Sequence, residues 1–257
     1  MRSIAIVMTH LNRDALTKRS ISSILEQKYD GDYIIIVVDD SSDIPFEYKH
    51  DKVVIIRTQK RKWCSPVIAY NYGKHEALKH SPEIIIIQNS EAFHAGNVLK
   101  YISENLNDEN YLSMGCIASD RKNTQDDTLH NIVSNYDNIQ CVQNDSDENS
   151  IGWYNHSVIY PRAFDFCSAI TTSNMKRLNG FDERFDIHVW YGDDNFRNRV
   201  RLLGLKTEII DYPYVIHQWH SREHQPYGYT DKSFKLYQET ILENNFKAKH
   251  KITEDFK

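Results

Sequence analysis

The sequence predicts an α/β protein: a mostly parallel central sheet flanked by helices, with a smaller β element in the second half. Three observations carry this. Unbroken apolar runs at 3–8 (SIAIVM), 33–38 (YIIIVV), 52–57 (KVVIIR) and 83–87 (EIIII) read as strands covered on both faces, as in parallel sheets. Segments of helical period stand between them. Polar clusters at 9–13, 39–43 and 88–91 follow directly after three of the runs, where open α/β sheets hold their ligands.

In chain order, Leu16, Ile21, Ile24 and Leu25 mark the first helix after the first strand. Pro66 suits the first turn of a helix over 66–78, because its missing N–H would have no intrahelical partner there. A helix is expected over 98–106 and a strand over 111–117. Residues 120–150 are dense in Asp, Asn, Ser and Gln, and read as an irregular excursion with one short helix near 128–135. Structure resumes at 151–161 and at a strand over 164–171. A helix over 173–178, the compact NGFDERF segment and a helix over 193–203 follow. Two short strands are expected at 207–210 and 214–216. An amphipathic helix is expected over 232–246, with the polar tail 247–257 fraying. These elements divide one domain, 1–257, into a first half (1–118), a second half (119–230) and a C-terminal helix and tail (231–257).

Composition narrows the function. With 31 Lys and Arg against 36 Asp and Glu, the chain of 257 residues carries a formal charge of −5, so bulk charge gives no reason to expect nucleic acid. A 40% hydrophobic content with only nine glycines and six prolines excludes disordered and collagen-like classes. Cys64, Cys116, Cys141 and Cys167 form no CxxC pair and read as reduced thiols. The apolar start, 1–8, is too short for a signal-peptide core, and no run approaches the length of a membrane span.

Several residues could carry chemistry. Asp39 and Asp40 end the second strand, either as a solvated turn or, with Thr9 and Arg13 at the neighbouring strand end, as acceptors for a bound ligand. Neither G-x-G-x-x-G nor G-x-x-x-x-G-K-[ST] occurs, so dinucleotide and P-loop folds are unsupported. Glu91 is the lone carboxylate of the QNSE segment. Asp193 and Asp194 open a helix, where exposed N–H groups favour acids whatever the function. His217 and His220 are three apart. Trp153, His156, Trp190 and Tyr191 could pack on a sugar face or in a core.

Taken in order, SIAIVMTHLNR, YIIIVVDDSSD, AYNYGKHEAL, IIIIQNSEAFHAG, LNGFDERFD, GDDNFRNRVRLLGL and VIHQWH resemble the blocks of the family-2 inverting glycosyltransferases with the GT-A nucleotide-sugar fold. The resemblance runs from residue 3 to about 220. It implies that Thr9, Arg13 and Asp39 line a nucleobase pocket and that Asp40 lies near the ribose. It places Asn71 and Asn89 with the donor, although Tyr70 stands where the family has arginine. Asn89-Ser90-Glu91 replaces the usual Asp-x-Asp metal motif, which leaves Glu91, with His217 or His220, to hold a divalent cation, Mn²⁺ or Mg²⁺. Asp194 is implied as the base and Asp193 as a residue that orients the acceptor.

The expected activity is transfer of a monosaccharide from a nucleotide-sugar, UDP-linked by preference, to a glycan or lipid-linked glycan hydroxyl. Trp153, His156, Trp190 and Tyr191 would line the acceptor side. A noncatalytic glycan-binding or scaffold protein retaining the fold is the alternative, and the acid pair favours the enzyme. The expected location is the cytoplasm, with peripheral contact to a membrane.

Overall fold

The computed structural model describes residues 1–59, 65–134, 151–187, 190–221 and 231–250. Among the described residues, nine strands form one sheet in the order β3-β2-β1-β4-β8-β6-β9-β5, with β7 paired to β6. The strands β1 (Ile4–His10), β2 (Tyr33–Asp39), β3 (Val53–Arg57) and β4 (Ile84–Asn89) are parallel, with Val7 opposite both Ile36 and Ile87. Beside β4 runs β8 (Cys167–Thr171), antiparallel, followed by β6 (Asn110–Ala118). Next comes β9 (Lys206–His217), parallel to β6, and the edge strand β5 (Ala92–Ala95), antiparallel to β9. β7 (Gly152–Asn155) is antiparallel to β6. The antiparallel pairings therefore gather in the half that the sequence left short of long apolar runs.

Alternation along β1 divides the core. Ile4, Ile6 and Met8 face one layer, with Ile21 and Ile24 of α1 (Asp14–Leu25) and Leu99 and Ile102 of α3 (Val98–Asn105). Ala5 and Val7 face the other, with α2 (Val67–Lys79), α6 (Thr172–Leu178) and α7 (Gly192–Leu202). Each fully buried Ile contributes roughly 1.5–3 kcal/mol over its exposed state. Gly73 sets the fit of α2 on β1, because a Cβ there would lie 2.2 Å from Val7 Cγ1. A third, smaller cluster joins Leu129, Ile132, Trp153, Tyr214 and Ile216.

Four elements differ from expectation. The two late strands are one, β9, whose register against β6 shifts between Met114 and Gly115 to accommodate 211–213, a bulge that bends the strand. β5 is too short to show a period in the sequence, and its partner β9 defines it. The polar excursion holds two short helices, α4 (Arg121–Gln125) and α5 (His130–Ser134), while 135–150 lies outside the described residues.

The tail is the fourth. The last helix, α8, ends at Glu243 (Asp231–Glu243), and the segment beyond it is docked: Ala248 is buried and its N–H bonds Leu178 O, while Glu183 N–H bonds Lys249 O. Arg199, buried on α7, donates to Asn195 Oδ1, Leu178 O and Phe246 O, and burial lowers its pKa to about 10. Backbone carbonyls thus anchor a tail whose side chains gave no apolar signal. Residues 251–257 lie outside the described residues. Cys116 and Cys167 are buried free thiols, and Cys64 and Cys141 are not among the described residues. No helix of the described residues is long and apolar enough to cross a membrane.

Candidate functional site

The carboxyl ends of β1, β2, β4 and β9 bring the polar clusters to one end of the sheet. β5 begins immediately after Glu91 and pairs antiparallel with β9, placing Ala92 opposite His217. Register alone therefore sets Glu91 beside the HQWH segment. Gln218, fully buried, fixes the junction: its backbone N–H and its Nε2 both donate to Glu91 O, at 3.1 and 3.0 Å. Arg19 Nη1 donates to Gln218 Oε1 at 2.6 Å and ties the junction to α1. Sequence reading passed over Gln218 because it considered only the flanking histidines.

Glu91 Oε1 is the focus of the cluster. Arg13 Nη1 lies 2.7 Å from it, His217 Nε2 3.3 Å and His220 Nε2 3.5 Å, while Ser90 Oγ donates to Oε2 at 3.0 Å. Burial alone would raise the Glu91 carboxyl. Arg13 and the two histidines outweigh burial and hold it well below the usual carboxylate range. Burial also lowers His217, against the pull of Glu91, so its ring favours the neutral form that a metal requires. One ligand atom from each of Glu91, His217 and His220 lies within 4.8 Å of the others, a spacing that a cation could close with small side-chain shifts. Two imidazoles with one carboxylate suit a first-row transition metal better than Mg²⁺, which prefers oxygen.

The predicted donor residues divide. Thr9 is partly exposed at the end of β1, and Asn89 Oδ1 accepts from the Tyr70 hydroxyl at 3.1 Å at the end of β4. Arg13, expected in a nucleobase pocket, sits instead on Glu91. Asp39 and Asp40 are 1% and 2% exposed. Asp39 accepts from Ser42 N and Phe46 N, both at 3.0 Å, and from Arg57 Nη1. Burial opposes its charge, yet the Ser42 and Phe46 hydrogen bonds and Arg57 leave its pKa lowered. Asp40 accepts from Thr58 Oγ1 at 2.6 Å. The turn role, not an open acceptor role, is what this strand end displays.

Asn71 is a clearer correction. It is fully buried, donates to Phe181 O (2.9 Å) and Glu183 Oε1 (3.1 Å), and accepts from Phe181 N (2.8 Å). Gly180, at φ +80°, lets the chain pass so close that a Cβ would meet Asn71 Oδ1 at 2.4 Å. Asn71 therefore clamps α2 to the NGFDERF segment, with its side-chain amide spent on that contact.

The acidic pair opens α7 after Tyr191, whose φ of +71° is a left-handed conformation rare for an aromatic residue. Tyr191 stacks on Tyr237 of α8 at 5.3 Å between ring centres, which holds that turn. Asp194 Oδ1 is taken by Arg197 Nη2 at 2.6 Å. Asp193 accepts the Asp194 N–H at 2.9 Å; burial and the neighbouring Asp194 charge raise its pKa to about 6. Asp165, which the sequence reading missed, follows the same rule: burial raises it to about 7, and Asp193 adds to the shift. The Tyr111 hydroxyl donates to Asp165 Oδ1. Tyr70, buried between α2 and β4, lies within electrostatic reach of Asp165, Glu91 and Asp193.

Of the four aromatic candidates, Trp190 is half exposed beside the acid pair. Tyr191 belongs to the aromatic stack. Trp153 is 1% exposed in the third core cluster, so it offers no face to a sugar. His156 lies against Trp153 and Asp211, with Nε2 3.6 Å from Asp211 Oδ2, midway along β9 and away from His217. Both are corrected to packing roles.

The sequence pattern of glycosyl transferase family 2 matches residues 5–165, more than half of the chain. The chain belongs to glycosyl transferase family 2. No curated protein matches the sequence. Among similar solved structures is the mannosyltransferase PcManGT from Pyrobaculum calidifontis in complex with GDP-Man and Mn²⁺, at 14% identity and a TM-score of 0.49, covering 94% of this chain and 69% of that one. The fold is the α/β GT-A arrangement, and the protein is a glycosyltransferase that moves a sugar from a nucleotide-sugar donor.

The clamp role of Asn71 has a measurable consequence. Asn71→Leu should cost about 2–4 kcal/mol in a urea melt, since it strands buried polar partners. At a temperature where the variant is folded, its calorimetric affinity for UDP and GDP should match the parent; a selective loss of nucleotide binding would restore Asn71 to the donor site.

Proposed function

We propose that the enzyme inverts the anomeric centre, with Asp193 as the base and a Mn²⁺ ion held by Glu91, His217 and His220. The observation that carries this reading is the grouping of Glu91, His217 and His220 within 4.8 Å at the carboxyl end of the sheet, with Asp193 as a carboxyl raised to about 6 at the start of α7. Asp193 replaces Asp194 in the base role, because Arg197 engages Asp194. In a single displacement, the acceptor hydroxyl attacks the anomeric carbon and gives its proton to the Asp193 carboxylate. The bond from that carbon to the diphosphate oxygen breaks, and the diphosphate leaves with the electron pair. A bound cation would offset the charge developing on the diphosphate. Position contributes more here than basicity, since a carboxylate removes a hydroxyl proton only in concert with attack.

UDP as the carrier, Trp190 as the platform for an acceptor sugar, and a glycan or lipid-linked glycan as acceptor complete the proposal. A cytoplasmic location with peripheral membrane contact would suit such an acceptor. The test incubates the protein with Mn²⁺ and a panel of UDP- and GDP-sugars, and reads nucleoside diphosphate release and the product anomer by NMR. Release from one donor, fastest for a UDP-sugar, with inverted configuration is expected. Retained configuration would overturn inversion, release from GDP-sugars alone would overturn the UDP assignment, and no release from any donor would overturn the whole reading.

A further inference from the structure

The most unusual feature of the cluster is that a fixed positive charge already occupies the oxygen a metal would use. Arg13 Nη1 is closer to Glu91 Oε1, at 2.7 Å, than either histidine nitrogen. All three groups converge on that one oxygen, while Oε2 is turned to Ser90. A divalent cation drawn to Glu91, His217 and His220 would enter beside a guanidinium in a buried setting, where like charges repel strongly. Glu91 is 4% exposed, so water offers little screening.

Arg13 has a way out. Its side chain is one-quarter exposed, and it stands at the start of α1 just beyond the end of β1, outside the regular structure. A planar guanidinium released from a carboxylate can meet phosphate oxygens with two parallel N–H donors.

We propose that Arg13 is a built-in counter-cation: it holds Glu91 while the site lacks metal and passes to the donor diphosphate when metal enters. Metal and nucleotide then bind as a coupled pair, each favouring the other, and metal alone binds weakly. The coupling is reciprocal by thermodynamic necessity. This inference rests on the proposed metal site and adds to it an order of dependence between the two ligands.

Calorimetric titration of Mn²⁺ into the full chain, without nucleotide, tests it on the parent, Arg13→Gln and Arg13→Lys, each checked for folding by circular dichroism. Arg13→Gln should bind Mn²⁺ alone about tenfold or more tightly than the parent, because the competing charge is gone. Arg13→Lys, which keeps the charge, should remain close to the parent. Repeating the titrations with saturating UDP, and separately GDP, should tighten Mn²⁺ binding strongly in the parent and much less in Arg13→Gln. Equal or weaker Mn²⁺ affinity in folded Arg13→Gln would overturn the role of Arg13 alone. Absence of Mn²⁺ binding in every variant, with and without nucleotide, would overturn the metal site itself.

Discussion

Asp193→Asn should lower the transfer rate by roughly 10² to 10⁴ while leaving donor affinity nearly unchanged, because the amide keeps the size and the Asp194 N–H contact but takes no proton. Asp194→Asn should lose no more than about tenfold, since that carboxylate is held by Arg197. The pH profile supplies a second readout. Asp193 is protonated below about 6 and ionised above it, so the parent rate should rise with pH through that value. Stability moves the opposite way. The unfolded carboxyl ionises near 3.8, so between about 3.8 and 6 the folded chain holds a proton that the unfolded chain releases, and stability falls as pH rises through that window. Above it the penalty is complete. Asp193→Asn should then melt higher than the parent at pH 7.5, by about 2–4 °C for each kcal/mol regained in a chain of this length. A slower and more stable variant would mark a carboxylate kept for chemistry. Near-parental turnover by Asp193→Asn, with a large loss in Asp194→Asn, would return the base role to Asp194.

The parallel half of the fold was legible because burial on both faces writes itself into sequence as β-branched runs, and β1 to β4 begin and end within two residues of those runs. The antiparallel half was less so. β5 has four residues and β7 four, and pairing with β9 and β6, not local composition, makes them strands. The docked tail was illegible for the same reason: its anchors are backbone carbonyls at 246, 248 and 249, which no side-chain pattern encodes. In the site, the grouping of Glu91 with His217 followed from the family resemblance. The partner of Glu91 did not. That Arg13 reaches Glu91, that Arg197 claims Asp194, and that Asp39 serves its own turn are side-chain choices among several within reach. Asp165 and Gln218 were missed because their surroundings come from distant strands, through Tyr111 in one case and Glu91 in the other.

Glu91→Gln should separate the two ligands that the site brings together. The substituted amide would retain the side-chain shape and a partner for Ser90, while the charge that draws a cation is lost. Mn²⁺ affinity measured with UDP present should fall by at least about tenfold, and turnover by roughly 10², because the leaving diphosphate would lose its counter-charge. Nucleotide affinity without metal should hold or improve, since Arg13, no longer neutralised by Glu91, would be free to meet the diphosphate. The fold bears a separate cost. Despite burial, Arg13 and the histidines keep the Glu91 carboxyl well below its ordinary 4.5, so its ionised form stabilises the native state above that pH, and this contribution is lost as pH falls through the folded-state pKa. Glu91→Gln should accordingly melt below the parent at pH 7 and approach it in acid. Thermal melts at both pH values, metal titration and transfer rates on one preparation distinguish the effects. Full turnover by the parent in excess chelator, together with full turnover by Glu91→Gln, would remove the cation from the mechanism and leave Arg13 as the group that meets the departing diphosphate.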